Sequence, residues 1–339
     1  MRGINAERSG KRRSISRLLK SNLVHGSETR SNDCLGRRLL HAQNGKGQKK
    51  VRRKSPLARK RGIEATHLWP GGNMADYPGR VLIIAGSDSG GGAGIQADIK
   101  TVTALGGYAA TAITAITVQN TLGVSAVHAV PVDIVVAQAR AVLDDIGADI
   151  IKTGMLGTPE LVEAVADLLA DYPDIPLVLD PVMVATSGDQ LVSEAAARAI
   201  GTRLVPRAAL VTPNAPEAEK LTGLTVATIG QQAEAGKALV EAGAQAALVK
   251  GGHLAGDIIT DVLVTPDMTM MFETGRQHTT NTHGTGCTLA SAIAAHLAQG
   301  HDLPDAIEQG GRYLSEAIRR APGFGSGHGP VHHAWKADR

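Results

Sequence analysis

Short apolar runs alternate with amphipathic segments along most of the chain after residue 74. The first run, Val81-Leu82-Ile83-Ile84-Ala85, has the length and uninterrupted apolar character of a strand buried on both faces. In the segment after it, Ile95, Ile99 and Val102 recur every three or four residues, which predicts an amphipathic helix that ends near Gly106. This region therefore begins with a strand followed by a helix.

The same alternation continues to the end of the chain. Strands are predicted at 112–118, 149–152, 177–180, 209–212 and 246–250, and helices near 132–146, 158–170, 193–204, 229–242, 286–299 and 303–320. The runs 258–265 and 268–272 are separated only by Pro266-Asp267, so an antiparallel pair is expected at the sheet edge. The pattern predicts an α/β fold with a mostly parallel sheet, and one domain over 76–339.

Charge divides the chain into two unequal parts. Residues 1–73 contain 19 Lys and Arg against 4 Asp and Glu, whereas residues 74–339 contain 16 against 28. The first part is expected to be a disordered basic leader. An organellar transit peptide, a basic nucleic-acid tail and translated sequence upstream of a start at Met74 are all open, and the upstream start is favoured. Because the body is acidic, nucleic-acid binding by the body is disfavoured.

Several classes of protein are made improbable by composition. The chain has two cysteines, Cys34 and Cys287, which argues against a structural disulfide and a cysteine-based metal site. No apolar run reaches the length of a membrane span, and no signal peptide is recognisable. A cytoplasmic protein without a membrane partner is expected, or an organellar one if the leader is a transit peptide.

Polar and glycine residues follow each predicted parallel strand. Since binding sites in such sheets lie at the carboxyl ends of the strands, these residues are the candidates for function. They are Gly86-Ser87-Asp88, Gln119-Asn120, Thr153-Gly154-Met155, Asp180-Pro181-Val182, Thr212-Pro213-Asn214 and Lys250-Gly251-Gly252-His253.

The stretch Asn281–Ala290 predicts an anion site. Gly284-Thr285-Gly286 stand directly before a helical pattern that contains Cys287 and Leu289. The first N–H groups of a helix have no intrahelical partner and carry partial positive charge, so they bind anions such as a phosphoryl group. A glycine-rich turn with a buried cysteine is an equally plausible explanation of this stretch taken alone.

Candidate groups for charge and substrate follow the other strands. Asn214 and Glu217 suit an outer shell for Mg²⁺, although a helix-capping box explains the same spacing equally well. Asp180 ends an apolar strand, where a carboxylate needs a partner, and Lys250 has the charge to neutralise a phosphate. The Gln119 carboxamide suits an aminopyrimidine edge. His253 and His283 are assigned no role.

Neither of two common nucleotide-binding motifs explains how this chain would bind a nucleotide. Gly92-Ala93-Gly94-Ile95-Gln96-Ala97 matches a dinucleotide fingerprint, but no acidic residue occurs between Asp98 and Asp133 to hold a ribose. A Walker A motif is absent as well. Any phosphoryl transfer must therefore use the helix start at Gly284–Cys287.

Taken together and in order, these motifs closely resemble the hydroxymethylpyrimidine/phosphomethylpyrimidine kinases of thiamine biosynthesis, within the ribokinase-like superfamily. The resemblance covers roughly 80–335 and rests on 85–88, 91–101, 119–121, 154–156, 179–183, 212–217, 250–253, 281–291 and 329–333. It implies a three-layer α/β/α sandwich without a separate lid domain, and a homodimer.

The resemblance also implies an activity and a site. ATP would phosphorylate 4-amino-5-hydroxymethyl-2-methylpyrimidine and then its monophosphate, with Mg²⁺ as cofactor. The pyrimidine pocket would be lined by Gln119, Gly86, Ala93, Met155 and Val182. Gly284, Thr285 and Gly286 would form the anion hole beside Cys287. The nucleotide would be bound by Lys250, Asn214 and Glu217. Mg²⁺ would be held through water by Asp180 and Glu217.

Cys287 would stand where many relatives of the wider superfamily carry an aspartate base. A helix N-terminus lowers the pKa of a thiol, so one hypothesis is that Cys287 is a thiolate that accepts the hydroxyl proton. Because proton removal contributes little to a loose phosphoryl-transfer transition state, positioning by the anion hole is the alternative. A base role makes a specific prediction. Cys287→Ser should then reduce the first phosphorylation more than the second. The alternatives are a pyridoxine or pyridoxal kinase of the same superfamily and, more distantly, a non-catalytic nucleotide or nucleic-acid-binding protein.

Overall fold

Nine strands form one mixed sheet in residues 79–337, the part of the chain that the structure, a computed structural model, describes. The strands are β1 (Arg80–Asp88), β2 (Tyr108–Asn120), β3 (Gly123–Ala129), β4 (Ile150–Thr153), β5 (Leu177–Leu179), β6 (Leu210–Val211), β7 (Ala247–Val249), β8 (Ile258–Thr265) and β9 (Met268–Gly275). Their spatial order is β3-β2-β1-β4-β5-β6-β7-β8-β9. The predicted leader, 1–73, lies outside the described residues.

The six central strands, β2 to β7 in this spatial order, are parallel. The predicted antiparallel pair at one edge is confirmed as β8 and β9, which pair from Ile258 with Gly275 to Thr265 with Met268. The opposite edge also ends in an antiparallel strand, β3, which the sequence pattern missed. Most of β3 is exposed, so it lacks the buried apolar run that marks the other strands.

Helices cover both faces of the sheet. They are α1 (Gly94–Ala104), α2 (Val132–Asp145), α3 (Pro159–Ala170), α4 (Glu194–Ala199), α5 (Ala215–Thr222), α6 (Ile229–Glu241), α7 (Thr285–Ala298) and α8 (Leu303–Arg319). The first strand shows why both faces must be covered: Leu82 and Ile84 pack in the core beneath α2 and α3, and Ile83 packs in the core beneath α1, α7 and α8. The α/β/α layering follows from this burial.

One predicted helix is shorter than the sequence pattern indicated. The segment predicted as a helix over 193–204 is α-helical only from Glu194 to Ala199. It then widens into a π-turn, Ile200–Leu204, and tightens into a 3₁₀ turn that contains Pro206. Proline lacks an N–H and clashes with the carbonyl four residues earlier, so a regular helix cannot continue into this position.

The strand order reverses beside β1, because β2 and β4 flank it on opposite sides. Loops that leave adjacent strands in opposite directions open a crevice at the carboxyl end of the sheet. The fold therefore places a cleft where the predicted functional residues follow their strands.

Candidate active site

One cavity of about 780 Å³ lies at the carboxyl ends of the parallel strands. All of the site residues predicted from the sequence line it, and they come from seven different loops or helix starts. These are Gly86, Ala93, Gln119, Met155, Asp180, Val182, Asn214, Glu217, Lys250, Gly284, Thr285, Gly286 and Cys287.

The start of α7 has the geometry of an anion site. The helix begins at Thr285 without a side-chain cap, and Thr285 N–H donates to the carbonyl oxygen of Thr282 at 3.3 Å. The N–H groups that follow, of Gly286 and Cys287, are the ones left for a ligand. The preceding Gly284 has φ +80°, and a Cβ there would lie 1.8 Å from the carbonyl oxygen of Gly92. Only glycine fits this position, where the glycine-rich loop after β1 meets the helix start.

Lys250 lies between this anion site and a buried carboxylate. Its Nζ is 3.4 Å from the position that a Cβ on Gly286 would occupy, and 3.2 Å from Asp180 Oδ1. Burial alone would lower the pKa of Lys250, but the carboxylates of Asp180 and Glu217 outweigh it and raise the pKa. The lysine is therefore charged and placed to neutralise an anion at the start of α7.

Asp180 is almost fully buried and shared between two lysines. Thr212 Oγ1 donates to its Oδ1 over 3.2 Å, and Lys152 Nζ lies 3.8 Å from its Oδ2. Lys152 is itself fully buried and pairs with Asp98 Oδ1 at 3.0 Å. Although burial opposes its charge, Asp98 raises the pKa of Lys152. Sequence analysis missed this lysine, although a charged residue within the apolar strand Ile150–Thr153 was the available signal.

Asn214 and Glu217 form the capping box that was one of the two explanations of their spacing. Asn214 Oδ1 accepts from Glu217 N–H at 2.9 Å, and Glu217 Oε2 accepts from Asn214 N–H at 2.8 Å. Glu217 also remains a candidate site residue, because the Glu217 side chain lines the cavity. Burial raises the pKa of Glu217 to about 7 against the opposing effect of Lys250.

The expected lowering of the Cys287 pKa is wrong. Burial raises the pKa of the thiol to about 12, and Asp98 and Asp180 add to this, while Lys152 and a hydrogen bond from Gly94 N–H oppose it. The helix N-terminus does not overcome these effects. Cys287 is therefore a protonated thiol near neutral pH, which does not suit a resident general base.

Four of the predicted pyrimidine residues, Gly86, Ala93, Gln119 and Met155, lie on or beside β1 and β2, whereas Val182 lines the cavity from the loop after β5. A Cβ on Gly86 would lie 2.8 Å from Met155 Cε, so the glycine leaves room for the methionine side chain. The Gln119 carboxamide contacts Thr117 Oγ1 at 3.0 Å and lies 3.5 Å from His283 Nε2. The β1–β2 end of the cavity combines an apolar wall with one carboxamide.

A buried Asp88–His283 pair, which sequence analysis did not assign, holds this end together. The Asp88 carboxylate accepts from the N–H groups of Gly90, Gly92 and Ala93 at 2.7 to 3.0 Å, and lies 2.8 Å from His283 Nε2. Burial opposes the charge on Asp88, but the hydrogen bonds from His283 and Ala93 lower its pKa. The pair links the glycine-rich loop to the start of α7; an aspartate directly after β1 was the available signal.

The opposite end of the cavity is formed by β9, α8 and the loop after β7. The Arg276 guanidinium donates to the carbonyl oxygens of Gly252 and Gly256 at 2.9 and 2.6 Å and so fixes that loop. On α8, Gly311, Leu314 and Ile318 line the cavity and present a mostly apolar surface. A flat, uncharged group fits such a surface better than an anion does.

Two broader properties concern the described residues as a whole. Within 79–337, no group of three or more His, Cys, Asp or Glu side chains is arranged to hold a metal ion by itself. Every helix in this range is too short or too polar to cross a lipid bilayer.

Comparison with known proteins agrees with this geometry. The sequence model of the phosphomethylpyrimidine kinase family matches residues 88–332. A hydroxymethylpyrimidine/phosphomethylpyrimidine kinase of Streptomyces coelicolor is 47% identical over 258 residues, which cover 76% of this chain and 95% of that protein. The thiamine biosynthesis bifunctional protein ThiED of Geobacter sulfurreducens is 50% identical over 266 residues, but the match spans 78% of this chain and only 54% of that longer protein.

A solved structure supports the same assignment. The ADP complex of Bacillus subtilis pyridoxal kinase superposes with a TM-score of 0.72 at 34% identity, covering 77% of this chain and 99% of that one. The expected ribokinase-like fold is therefore confirmed, and the protein is a kinase. This chain belongs to the phosphomethylpyrimidine kinase family.

Proposed function

We propose that this protein transfers the γ-phosphate of ATP to the hydroxymethyl oxygen of 4-amino-5-hydroxymethyl-2-methylpyrimidine, and then a second phosphate to the product. The observation that carries the proposal is that one cavity is lined by a carboxamide, an uncapped helix start and a lysine. These supply a donor and acceptor for an aminopyrimidine, an anion hole and a neutralising charge, as phosphoryl transfer requires. The named activity of the Streptomyces coelicolor relative points to the same reaction.

In the proposed reaction Gln119 holds the pyrimidine edge, and Met155 and Val182 pack against the ring. The N–H groups of Gly286 and Cys287 stabilise the charge on the transferred phosphoryl group, and Lys250 neutralises the phosphate oxygens. The bond from the substrate oxygen to phosphorus forms as the bond to ADP breaks. Proton removal contributes little to a loose transition state, so the hydroxyl proton can pass late to the transferred phosphoryl group. A protonated Cys287 then positions the hydroxyl group instead of deprotonating it.

Mg²⁺ belongs to this proposal as well. The carboxylates of Asp180 and Glu217 both line the cavity, and burial raises the pKa of Glu217 to about 7 against the opposing effect of Lys250. Such a donor set fits Mg²⁺ held by Asp180 and Glu217 through water and by nucleotide phosphates. The ion would supply further neutralisation of phosphate charge.

A second candidate activity is the phosphorylation of pyridoxal or pyridoxine. The similarity to Bacillus subtilis pyridoxal kinase favours it, although the identity of 34% is below the 47% shared with the Streptomyces coelicolor enzyme. Steady-state kcat/KM for hydroxymethylpyrimidine, pyridoxine and pyridoxal decides between them. We expect the pyrimidine to exceed both competitors by at least about tenfold, because only its amino-substituted ring edge matches the Gln119 carboxamide. A higher value for pyridoxal would assign the second activity.

The proposal includes a homodimer and a cytoplasmic location. Ile116 and Val118 on β2, the strand next to the edge strand β3, are 52% and 58% exposed, which supports an apolar contact on that part of the sheet face. Light scattering after size-exclusion chromatography should give twice the mass of one chain, and Ile116→Asp should give the mass of one. A wild-type monomer would exclude the dimer.

A further inference from the structure

A fully buried lysine lies behind the wall of the active-site cavity. Lys152 Nζ is 3.0 Å from Asp98 Oδ1 and 3.8 Å from Asp180 Oδ2, and its side chain is 0% exposed. Burying a charge is costly and requires partners, so an apolar residue would suit the centre of β4 better on stability grounds alone. Lys152 does not line the cavity, and the proposed reaction gives it no contact with substrate.

The hydrogen bonding around Lys152 is incomplete in a specific way. Asp180 Oδ1 is satisfied by Lys250 and Thr212, whereas the buried Oδ2 has no hydrogen-bond partner among residues 79–337. Asp98 accepts from Ser291 Oγ at 2.7 Å through the same oxygen that contacts Lys152, and its other oxygen, Oδ2, is also buried without a hydrogen-bond partner among residues 79–337. Lys152 is thus anchored on Asp98 and stands slightly too far from Asp180 for a hydrogen bond.

Lys250 has two possible partners. Its ammonium pairs with Asp180 at 3.2 Å, and it also lies beside Gly286, where the N–H groups of α7 would hold a phosphate. If Lys250 turns to a phosphate, it leaves the Asp180 carboxylate buried and without that neighbour. An unpaired buried carboxylate is strongly unfavourable, and this cost would oppose nucleotide binding.

We infer that Lys152 is a positioning residue that neutralises Asp180 when Lys250 turns to the nucleotide phosphates. Lys152 is the second cation on the same carboxylate, and it approaches the oxygen that lacks a partner. Lys250 can then neutralise the phosphate while the buried Asp180 carboxylate keeps the Lys152 ammonium as a partner. The inference rests on the proposed function only in requiring that a nucleotide phosphate binds at the start of α7.

The test is the affinity for ADP, measured by isothermal titration calorimetry in buffer that contains EDTA, in variants that keep the local charge balanced. Without Mg²⁺, the ion proposed to bind Asp180 cannot take the place of Lys152. Lys152→Met combined with Asp98→Asn removes one charge of each sign and leaves Lys250 as the only ammonium on Asp180. ADP should bind at least about 30-fold more weakly, while the affinity for hydroxymethylpyrimidine changes less than about twofold. Adding Asp180→Asn to this pair should restore most of the ADP affinity, because Lys250 no longer has a competing carboxylate.

A single variant, Asp98→Asn, gives a prediction of opposite sign. Its thermal unfolding is measured first, because it leaves the buried Lys152 ammonium with only the Asp180 carboxylate, 3.8 Å away, as an anionic partner among residues 79–337. Asp98→Asn keeps the shape of the side chain and frees Lys152 to move towards Asp180, so ADP should bind about two- to fivefold more tightly. The matched control is Lys237→Met on the exposed face of α6, which should leave ADP affinity unchanged.

Three results would overturn the inference. They are wild-type ADP affinity in a folded Lys152→Met/Asp98→Asn variant, weaker ADP binding in Asp98→Asn, or equal loss of ADP and pyrimidine affinity that Asp180→Asn does not restore. The last result would assign Lys152 to stability alone. If the wild-type protein does not bind ADP, the proposed function itself fails, which is a separate outcome.

Discussion

The Cys287 thiol lines the cavity at the start of α7, where the acceptor hydroxyl group and the transferred phosphoryl group are proposed to meet. Burial raises the pKa of the Cys287 thiol to about 12, compared with about 8.5 for an ordinary cysteine, so the thiol is protonated near neutral pH. A base that is almost never deprotonated cannot accept the hydroxyl proton in each turnover. Its contribution must come from position and packing.

We therefore expect Cys287→Ser to reduce both phosphorylations by a similar factor, below about tenfold. Loss of a general base would instead cost about 100- to 10,000-fold, and only in the first step, because the phosphate acceptor of the second step is already ionised. Rapid-quench single turnovers with hydroxymethylpyrimidine and with its monophosphate measure the two steps separately. A loss confined to the first step would refute the reasoning.

Thiol alkylation provides an independent check on the same residue. Because the chain has only two cysteines, Cys34→Ser leaves Cys287 as the single reactive thiol. Its rate of reaction with iodoacetamide should still rise with pH above pH 9. A rate that levels off between pH 7 and 8 would show an activated thiolate and restore the base hypothesis.

Three further predictions test the anion hole, the acceptor pocket and the buried carboxylate. Gly284→Ala should lower the unfolding free energy by more than about 2 kcal/mol in urea titrations, because it combines a left-handed φ with a clash on Gly92. The control is Gly300→Ala, also at positive φ but with open space around it, which should lower the unfolding free energy by less. Gln119→Leu should raise KM for the pyrimidine at least about tenfold and leave KM for ATP unchanged, and equal changes in both would remove Gln119 from the acceptor site. Glu217 has a raised folded pKa, so the folded state binds more protons between about pH 4.5 and 7 and its contribution to stability falls as pH rises through that window. Glu217→Gln, which keeps the capping acceptor, should abolish that decline in unfolding experiments; an unchanged profile would contradict it.

Much of the fold was predictable because buried parallel strands produce apolar runs that polar loops interrupt. The run Val81–Ala85 is buried on both faces, and the antiparallel pair across Pro266-Asp267 formed as expected. The strand Gly123–Ala129 was not predictable, since it is mostly exposed and is stabilised by pairing with its neighbour. Pairing between strands leaves little mark on a single exposed segment.

The candidate site likewise has residues that the sequence predicts and residues that it does not. The site residues that follow strands were predictable because topology brings strand ends together, and Gly86, Gln119, Met155, Asp180 and Lys250 line one cavity. Lys152 and the Asp88–His283 pair were missed because their roles depend on partners distant in sequence: Asp98 is 54 residues from Lys152, and His283 is 195 residues from Asp88. The predicted direction of the Cys287 pKa shift was wrong for a related reason. Local sequence shows that a helix starts there, but it does not show the burial of the thiol or the carboxylates around it.

The central claim is that one cavity transfers two phosphates in succession to a pyrimidine alcohol. The most direct measurement is the ratio of ADP formed to hydroxymethylpyrimidine consumed at completion, together with the mass of the product. We expect two ADP for each pyrimidine and a product carrying two phosphates. A ratio of one with a monophosphate product, or no ADP formation above the rate without pyrimidine, would contradict it.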